Sequence, residues 1–341
     1  MRQLFFSIFI FCTVAAAGCT AAIVPAECSA SGRPMIWKHR DTGADNNFIA
    51  HVAPAVDGHG YTALFNASDS LMQEAWMGFN DVGFAIINTA SYNLMPDTAT
   101  VRDREGFVMS QALAQCTTVD DFERLIEYDF VRRGVQANFG VIDARGGAAW
   151  FETSDNDFNR FDVRDSVVVR TNFSYSGNMG DRLPGLVRYH SARHLLGEMP
   201  AKLRPIDFTE GLSRSFYHSA LGRDCKDDSV VTNRDFIPRD ISTASLVIEG
   251  VSPVTGEGQP RMWGCLGYPA VAVGQWITAE SIPAGMRRGA DGRSSDCTES
   301  FTLMHSATLP NCGADYLRMD ILRPLIWRAA RKSLVNFNSG L

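Results

Sequence analysis

The chain predicts an α+β fold, with mainly antiparallel sheets packed under helix layers. Three observations carry that expectation. Strand-like runs come in groups with helical blocks between them, and turn-rich links that suit hairpins outnumber single crossovers. No internal repeat or low-complexity linker divides the 341 residues, so one domain after a short leader accounts for the length.

The elements follow in order. Residues 1–18 have the three parts of a secretory signal peptide: Arg2, the apolar stretch Leu4 to Val14, and the small residues Ala15-Ala16-Ala17-Gly18. That apolar stretch is too short to span a bilayer, and no later segment approaches 18 uninterrupted apolar residues. The mature domain, 19–341, opens with strand-like runs at Thr20 to Val24 and Pro34 to His39, joined through the turn residues Ser29 to Gly32. Further strands are expected at Phe48 to Ala53, Tyr61 to Asn66 and Gly83 to Thr89. Thr118 to Asp121 reads as a capping box, and Phe122, Leu125, Ile126 and Phe130 repeat behind it at helical spacing. Strands Ala137 to Ile142 and Ala148 to Thr153 flank a turn at Asp143 to Gly147. Val167 to Thr171 reads as a fully buried strand, the segment after Pro184 through Leu196 as a helix, and Ser245 to Glu249 as a short strand. A long helical segment from about Tyr316 to Leu334, interrupted by Pro324, closes the chain.

Composition narrows the chemistry. Loss of Arg2 with the leader moves the net charge from −6 to −7, and no basic run with interleaved aromatics occurs, which argues against a nucleic-acid partner. There is no G-x-S-x-G elbow and no phosphate-binding P-loop. Gly58 to Ala63 opens a strand rather than a helix, so it is not a dinucleotide loop. His190 and His194 share a helix face without a third ligand. No metal or cofactor is expected. Beyond Cys12 and Cys19, six cysteines remain. Four lie after residue 220, where any disulfides of an exported chain are expected.

Cys19 follows the leader's small residues directly, and a strand begins beside it with no linker. Cleavage after Gly18 leaves a cysteine whose thiol is a nucleophile and whose α-amine is a base, which suffices for amide-bond chemistry. If the two opening strands pair, Arg40 and Asp41 return beside Cys19. Asp41 can then orient the amine, while Arg40 or Lys38 favours the thiolate.

Here the chain resembles the linear-amide C–N hydrolases, N-terminal-nucleophile (Ntn) enzymes that include choloylglycine hydrolase, penicillin V acylase and penicillin acyltransferases. Cys19-Thr20, Gly32-Arg33-Pro34 and Trp37 to Thr42 carry the resemblance, with Gly78 to Ala85 and Val169 to Phe173 following in order. The likeness covers residues 19 to about 196 and fades beyond. It implies the four-layer αββα sandwich, with Cys19 as nucleophile and Asp41 as the carboxylate that positions its amine. It implies Asn172 as an oxyanion donor, Asn88 as a second polar group there, and Arg188 as the distal arginine that braces the cysteine. The bile salt enzymes carry Arg three residues before the Asp. This chain has Lys38 there, and Arg40 is placed to take over the charge role.

The expected activity is therefore hydrolysis of a linear amide in a small-molecule N-acyl compound, of bile-salt, penicillin V or N-acyl amino acid type. Trp37, Trp76 and Phe173 would suit an apolar acyl group and suit a protein core equally well. Transfer to an acceptor amine is the alternative within the same chemistry. The alternative from another class is a non-catalytic lipoprotein anchored through Cys19. The protein is expected to be exported, periplasmic or secreted, with no integral membrane segment after processing, and a homo-oligomer is compatible with the sequence.

Overall fold

The computed structural model describes residues 18–94, 103–129, 133–232, 234–310, 312 and 316–340. The leader call and the Phe130 helix position lie outside the described residues.

Apolar runs with turn residues between them make the opening hairpin, β1 (Gly18–Val24) and β2 (Met35–Asp41). The chain then crosses into β3 (Asn47–Val52), β4 (Tyr61–Asn66), β5 (Met77–Asn80) and β6 (Ala85–Ala90). Helices α1 (Glu105–Gln115) and α2 (Val119–Arg124) follow, then β7 (Ala137–Ile142), β8 (Ala148–Thr153), β9 (Phe158–Asp162) and β10 (Val168–Arg170). Next come α3 (Leu186–Gly197), the short α4 (Pro205–Asp207), and two small strands, β11 (Tyr217–His218) and β12 (Arg223–Asp224). Strand β13 (Val230–Thr232) precedes β14 (Ser242–Glu249), β15 (Arg261–Leu266) and β16 (Gln275–Ile277). Helix α5 (Ser295–Ser306), β17 (Tyr316–Arg318) and α6 (Met319–Ser339) complete the chain.

The strands form two large antiparallel sheets. One has the order β10-β1-β2-β14-β15-β16 and the other runs β3 to β9 in sequence order. Ala21, Ile23, Ile36, Leu246 and Ile248 of the first meet Leu64, Met77, Ile87 and Trp150 of the second in one buried layer. The outer face of the seven-stranded sheet packs Phe65, Ile86, Phe139 and Phe151 under Leu113 and Phe122 of α1 and α2. The outer face of the other sheet packs Ala22, Val24, Trp37 and Val247 against Ala192 of α3 and Phe208. At the β16 edge, Phe337 of α6 covers Trp263 and Trp276. The result is the expected four-layer αββα sandwich.

Several expectations are corrected. The strand ending at Arg170 is not fully buried: it pairs only with β1, at the sheet's edge, and Val168 is half-buried. Tyr316 to Arg318 is strand, paired with Val230 to Thr232, and the closing helix runs unbroken through Pro324. Pro324 lies in the second turn, so it removes one early hydrogen bond without ending the helix. Cys225, Cys265, Cys297 and Cys312 form no disulfide. Three of them are buried in separate packing sites, where they act as small hydrophobes. No described helix is long and apolar enough to cross a membrane.

Candidate active site

Strand alternation sorts the residues of the hairpin. Cys19 lies on the face of Ala21 and Ile23, between the two sheets, and Lys38 and Arg40 share that layer with Ile36. Thr20, His39 and Asp41 lie on the opposite face, under the helices. The register pairs Cys19 with Arg40 and Gly18 with Asp41, so the end of β2 returns beside the cysteine as the sequence predicts.

The Gly18–Cys19 junction is held by two arginines. Arg188 of α3 donates to the Cys19 carbonyl (2.8 Å), to Thr20 Oγ1 (2.9 Å) and to Asn172 Oδ1 (2.5 Å). Arg239 donates through Nη2 to the Gly18 carbonyl (3.4 Å) and grips Asp41 Oδ2 with Nε (3.0 Å) and Nη2 (2.6 Å). Ser242 donates to Asp41 Oδ1 (2.6 Å) and lies 2.9 Å from His39 Nε2. The Asp41 carboxylate is thus held at both oxygens at the outer end of the hairpin, 3.9 Å from Arg188. Asn172 also donates from Nδ2 to the Ala90 carbonyl (3.0 Å), leaving its second amide hydrogen for another acceptor.

On the inter-sheet face, Arg40 bonds Asn47 and Asn66 (2.8 Å to the latter) and lies 4.8 Å over the Trp76 ring. Lys38 donates to the Trp76 carbonyl (2.7 Å) and to Asn88 Oδ1 (2.5 Å). Asn88 lies one residue beyond the last β6 residue that pairs with β5 and stays paired with Phe139 of β7. Lysine only donates, so Asn88 must turn its oxygen to Lys38. Its Nδ2 has no partner among the described residues.

The charge of Cys19 acts on both Lys38 and Arg40. Burial pushes Lys38 down to about 8, opposed first by the charge of Cys19, with Arg40 and Glu105 also acting on it. Burial lowers Arg40 and Arg188 to about 10, and the Cys19 charge opposes the fall in each case. Arg239 is raised above its ordinary value; desolvation is the largest influence on it and opposes that rise, while Asp41 and then Cys19 favour the cation. Lys38, Arg40, Arg188 and Arg239 thus all lie within electrostatic reach of Cys19. Burial first, then the Cys19 charge, pushes the phenol of half-exposed Tyr92 up to about 12. Beside Tyr92 opens a cleft of about 450 Å³ with a polar lining that includes Asn93, Glu152, Asp157 and Asn178.

The structure therefore joins Cys19, Asp41, Asn172 and Arg188 in one bonded network. Arg40 and Asn88 lie across the inter-sheet layer, and Asn88 meets Lys38 rather than Asn172. Arg239, Ser242 and Tyr92 belong to the site without having been singled out in the sequence. Arg239 lies 198 residues from its Asp41 partner, and only the pairing of β14 with β2 could have revealed it. Trp37 is corrected. It is core, facing the helix layer and bonded to Ser245 (3.0 Å). Phe173 packs on Tyr175 and Tyr189. His194 stacks on Tyr217 and pairs with Glu198, and no metal-binding group occurs among the described residues.

No family model matches the chain, and no curated relative does. Solved structures with a similar fold include a Caenorhabditis elegans N-acylethanolamine-hydrolyzing acid amidase ortholog. It is 12% identical, with a TM-score of 0.43, over 69% of this chain and 92% of that one. Penicillin V acylase from Agrobacterium tumefaciens is 13% identical, with a TM-score of 0.45, over 77% and 87%. A variant of conjugated bile acid hydrolase from Clostridium perfringens is 10% identical, with a TM-score of 0.45, over 77% and 93%.

Proposed function

We propose that this protein hydrolyses linear amide bonds of small N-acyl compounds, with Cys19 as its nucleophile once the chain is cut after Gly18. One observation supports this above the others: the register that sets Gly18 against Asp41 and Cys19 against Arg40, with Arg188 and Arg239 on the two carbonyls of the junction. Cleavage frees an α-amine beside the Asp41–Arg239 pair. The amine takes the thiol proton, and the sulfur attacks the substrate carbonyl carbon.

The developing oxyanion takes hydrogen bonds from the free amide hydrogen of Asn172 and from a backbone N–H, with Asn88 Nδ2 as a further donor. Removing one such donor commonly costs about 2.7–4 kcal/mol of transition-state stabilisation. The amine then gives its proton to the leaving nitrogen, and a thioester remains. Water, losing a proton to the same amine, attacks the thioester and releases the acid and the thiol. The polar cleft beside Tyr92 suits the amine portion of the substrate.

The tethered lipoprotein fits less well. Cys19 is only 8% exposed, in a strand paired on both sides, so a lipid on its sulfur would have to lodge between the sheets. Export through the leader, to the periplasm or the medium, completes the reading. Substitution Cys19→Ser tests it on purified, folded protein across a panel of N-acyl amides. Near-complete loss of hydrolysis is expected, and persistence of activity would contradict the mechanism.

A further inference from the structure

Helix α6 has one face fixed and one face bare. Its inner side buries Leu322, Ala329, Ser333 and Phe337, and Ser333 accepts from Gly274 N (2.9 Å) and Arg214 Nη2 (3.1 Å). On the outer side Trp327 is 62% exposed, Leu334 50% and Val335 68%. With Arg331 these fall at i, i+4, i+7 and i+8, one stripe along the helix. The Arg331 guanidinium lies 4.7 Å over the Trp327 indole. A groove of about 440 Å³ follows the stripe, lined by Val273, Trp327, Arg328, Arg331, Lys332 and Val335, with Asn336.

The charge of this face is one-sided. The helix has four basic residues and one acidic residue, Asp320, in a chain whose net charge is −6. At other places on the surface arginines meet carboxylates, as Arg124 does Asp121 and Arg223 does Asp228, while Arg193, Arg287 and Arg288 are exposed without an ion pair among the described residues. Arg328, Arg331 and Lys332 form no ion pair among the described residues; no carboxylate lines their groove, and Asp296 and Glu299 line only the adjoining cavity that Arg328 and Lys332 also border. A second copy docked about a twofold axis would set these cations against their own counterparts. The surface that fits indole, aliphatic and unpaired cationic groups together is the headgroup layer of an anionic bilayer.

We propose that the outer face of α6 seats the protein on anionic phospholipid. Trp327, Leu334 and Val335 enter the boundary between headgroups and acyl chains, and Arg328, Arg331 and Lys332 take the phosphates. The site lies on the opposite outer layer from α1 and is independent of the Cys19 chemistry.

Co-sedimentation of the full chain with vesicles tests this, using phosphatidylcholine alone or mixed with phosphatidylglycerol. Binding is expected only to the mixed vesicles, with release at about 0.5 M salt. Joint substitution R328Q, R331Q and K332Q should weaken it about a hundredfold, by the usual contribution of each cation near such a surface. W327A should weaken it further while leaving circular dichroism and melting unchanged. Brominated lipid should quench the wild-type emission more than that of W327A. Equal binding to neutral vesicles, or binding unaffected by the triple substitution, overturns the proposal. So does a concentration-dependent dimer abolished by the same substitutions, which would assign the face to a second copy.

Discussion

Arg188 links three parts of the site at once, and the planar fork of a guanidinium is what lets it do so. It bonds the Cys19 carbonyl, Thr20 and the oxygen of Asn172, which fixes where the Asn172 amide hydrogens point. Lysine cannot reproduce that geometry. Arg188→Lys is expected to leave the fold intact and lower kcat by about tenfold or more, with KM nearly unchanged, in steady-state assays. Asn172→Ala removes an oxyanion donor and should cost about a hundredfold in kcat. Lys38 differs from both because its charge is conditional. Burial brings it to about 8, so the ammonium that faces Cys19 is lost as pH rises through that value. The rate should fall on that alkaline limb. Lys38→Arg, which stays charged, should move the limb upward, and a profile unchanged by the substitution would remove Lys38 from the site's electrostatics.

The hairpin β1–β2 is the element that builds the site, and its tolerance for change is narrow at Gly18. A Cβ there would lie 2.5 Å from Arg239 Nη2, 2.9 Å from Asn172 Oδ1 and 3.0 Å from Arg188 Nη2. Gly18→Ala should therefore displace the Arg239–Asp41 pair and slow formation of the mature terminus, read by the ratio of the two N-termini in mass spectra. This hairpin was legible in sequence because two apolar runs flank Ser29 to Gly32 and both strands are buried on each face. The Thr118 cap and the strands around Asp143 to Gly147 were equally plain, since each rests on local turn or cap chemistry. Within Gly78 to Ala85, the segment that carries part of the resemblance, Gly83 takes φ +94° and Asn80 Oδ1 accepts from Phe84 N (2.9 Å). Helix α1 was not legible. It is buried nearly all round, so no polar stripe marks its period. Helix α5 is built from Ser, Thr, Asp and Cys, weak helix formers held by tertiary contact. Arg239 and Ser242 escaped notice for a different reason. Their partner Asp41 is distant in sequence, and only sheet order brings them together.

At the scale of the whole molecule, the sandwich encloses charged groups between and beneath its sheets, and this ties stability to pH. His39 is fully buried and held neutral. Burial lowers it from 6.5 to about 4, with Asp41 opposing and Arg188 and Arg239 reinforcing the fall. Between those values the unfolded chain binds more protons than the folded one. Stability from this group is therefore complete above about 6.5 and is lost as pH drops toward 4, by about 3 kcal/mol. Urea unfolding should show that decline, and His39→Asn should flatten it. Because the site's charges come from β2, α3 and Arg239, and the amides that hold them from the seven-stranded sheet, its chemistry depends on the complete fold and on a free first residue. The most direct test is the intact mass and N-terminal sequence of the protein recovered from its native host. An unmodified chain beginning Cys19-Thr20 is expected. A terminus still bearing Gly18, or a Cys19 that carries acyl chains, would contradict the proposed mechanism.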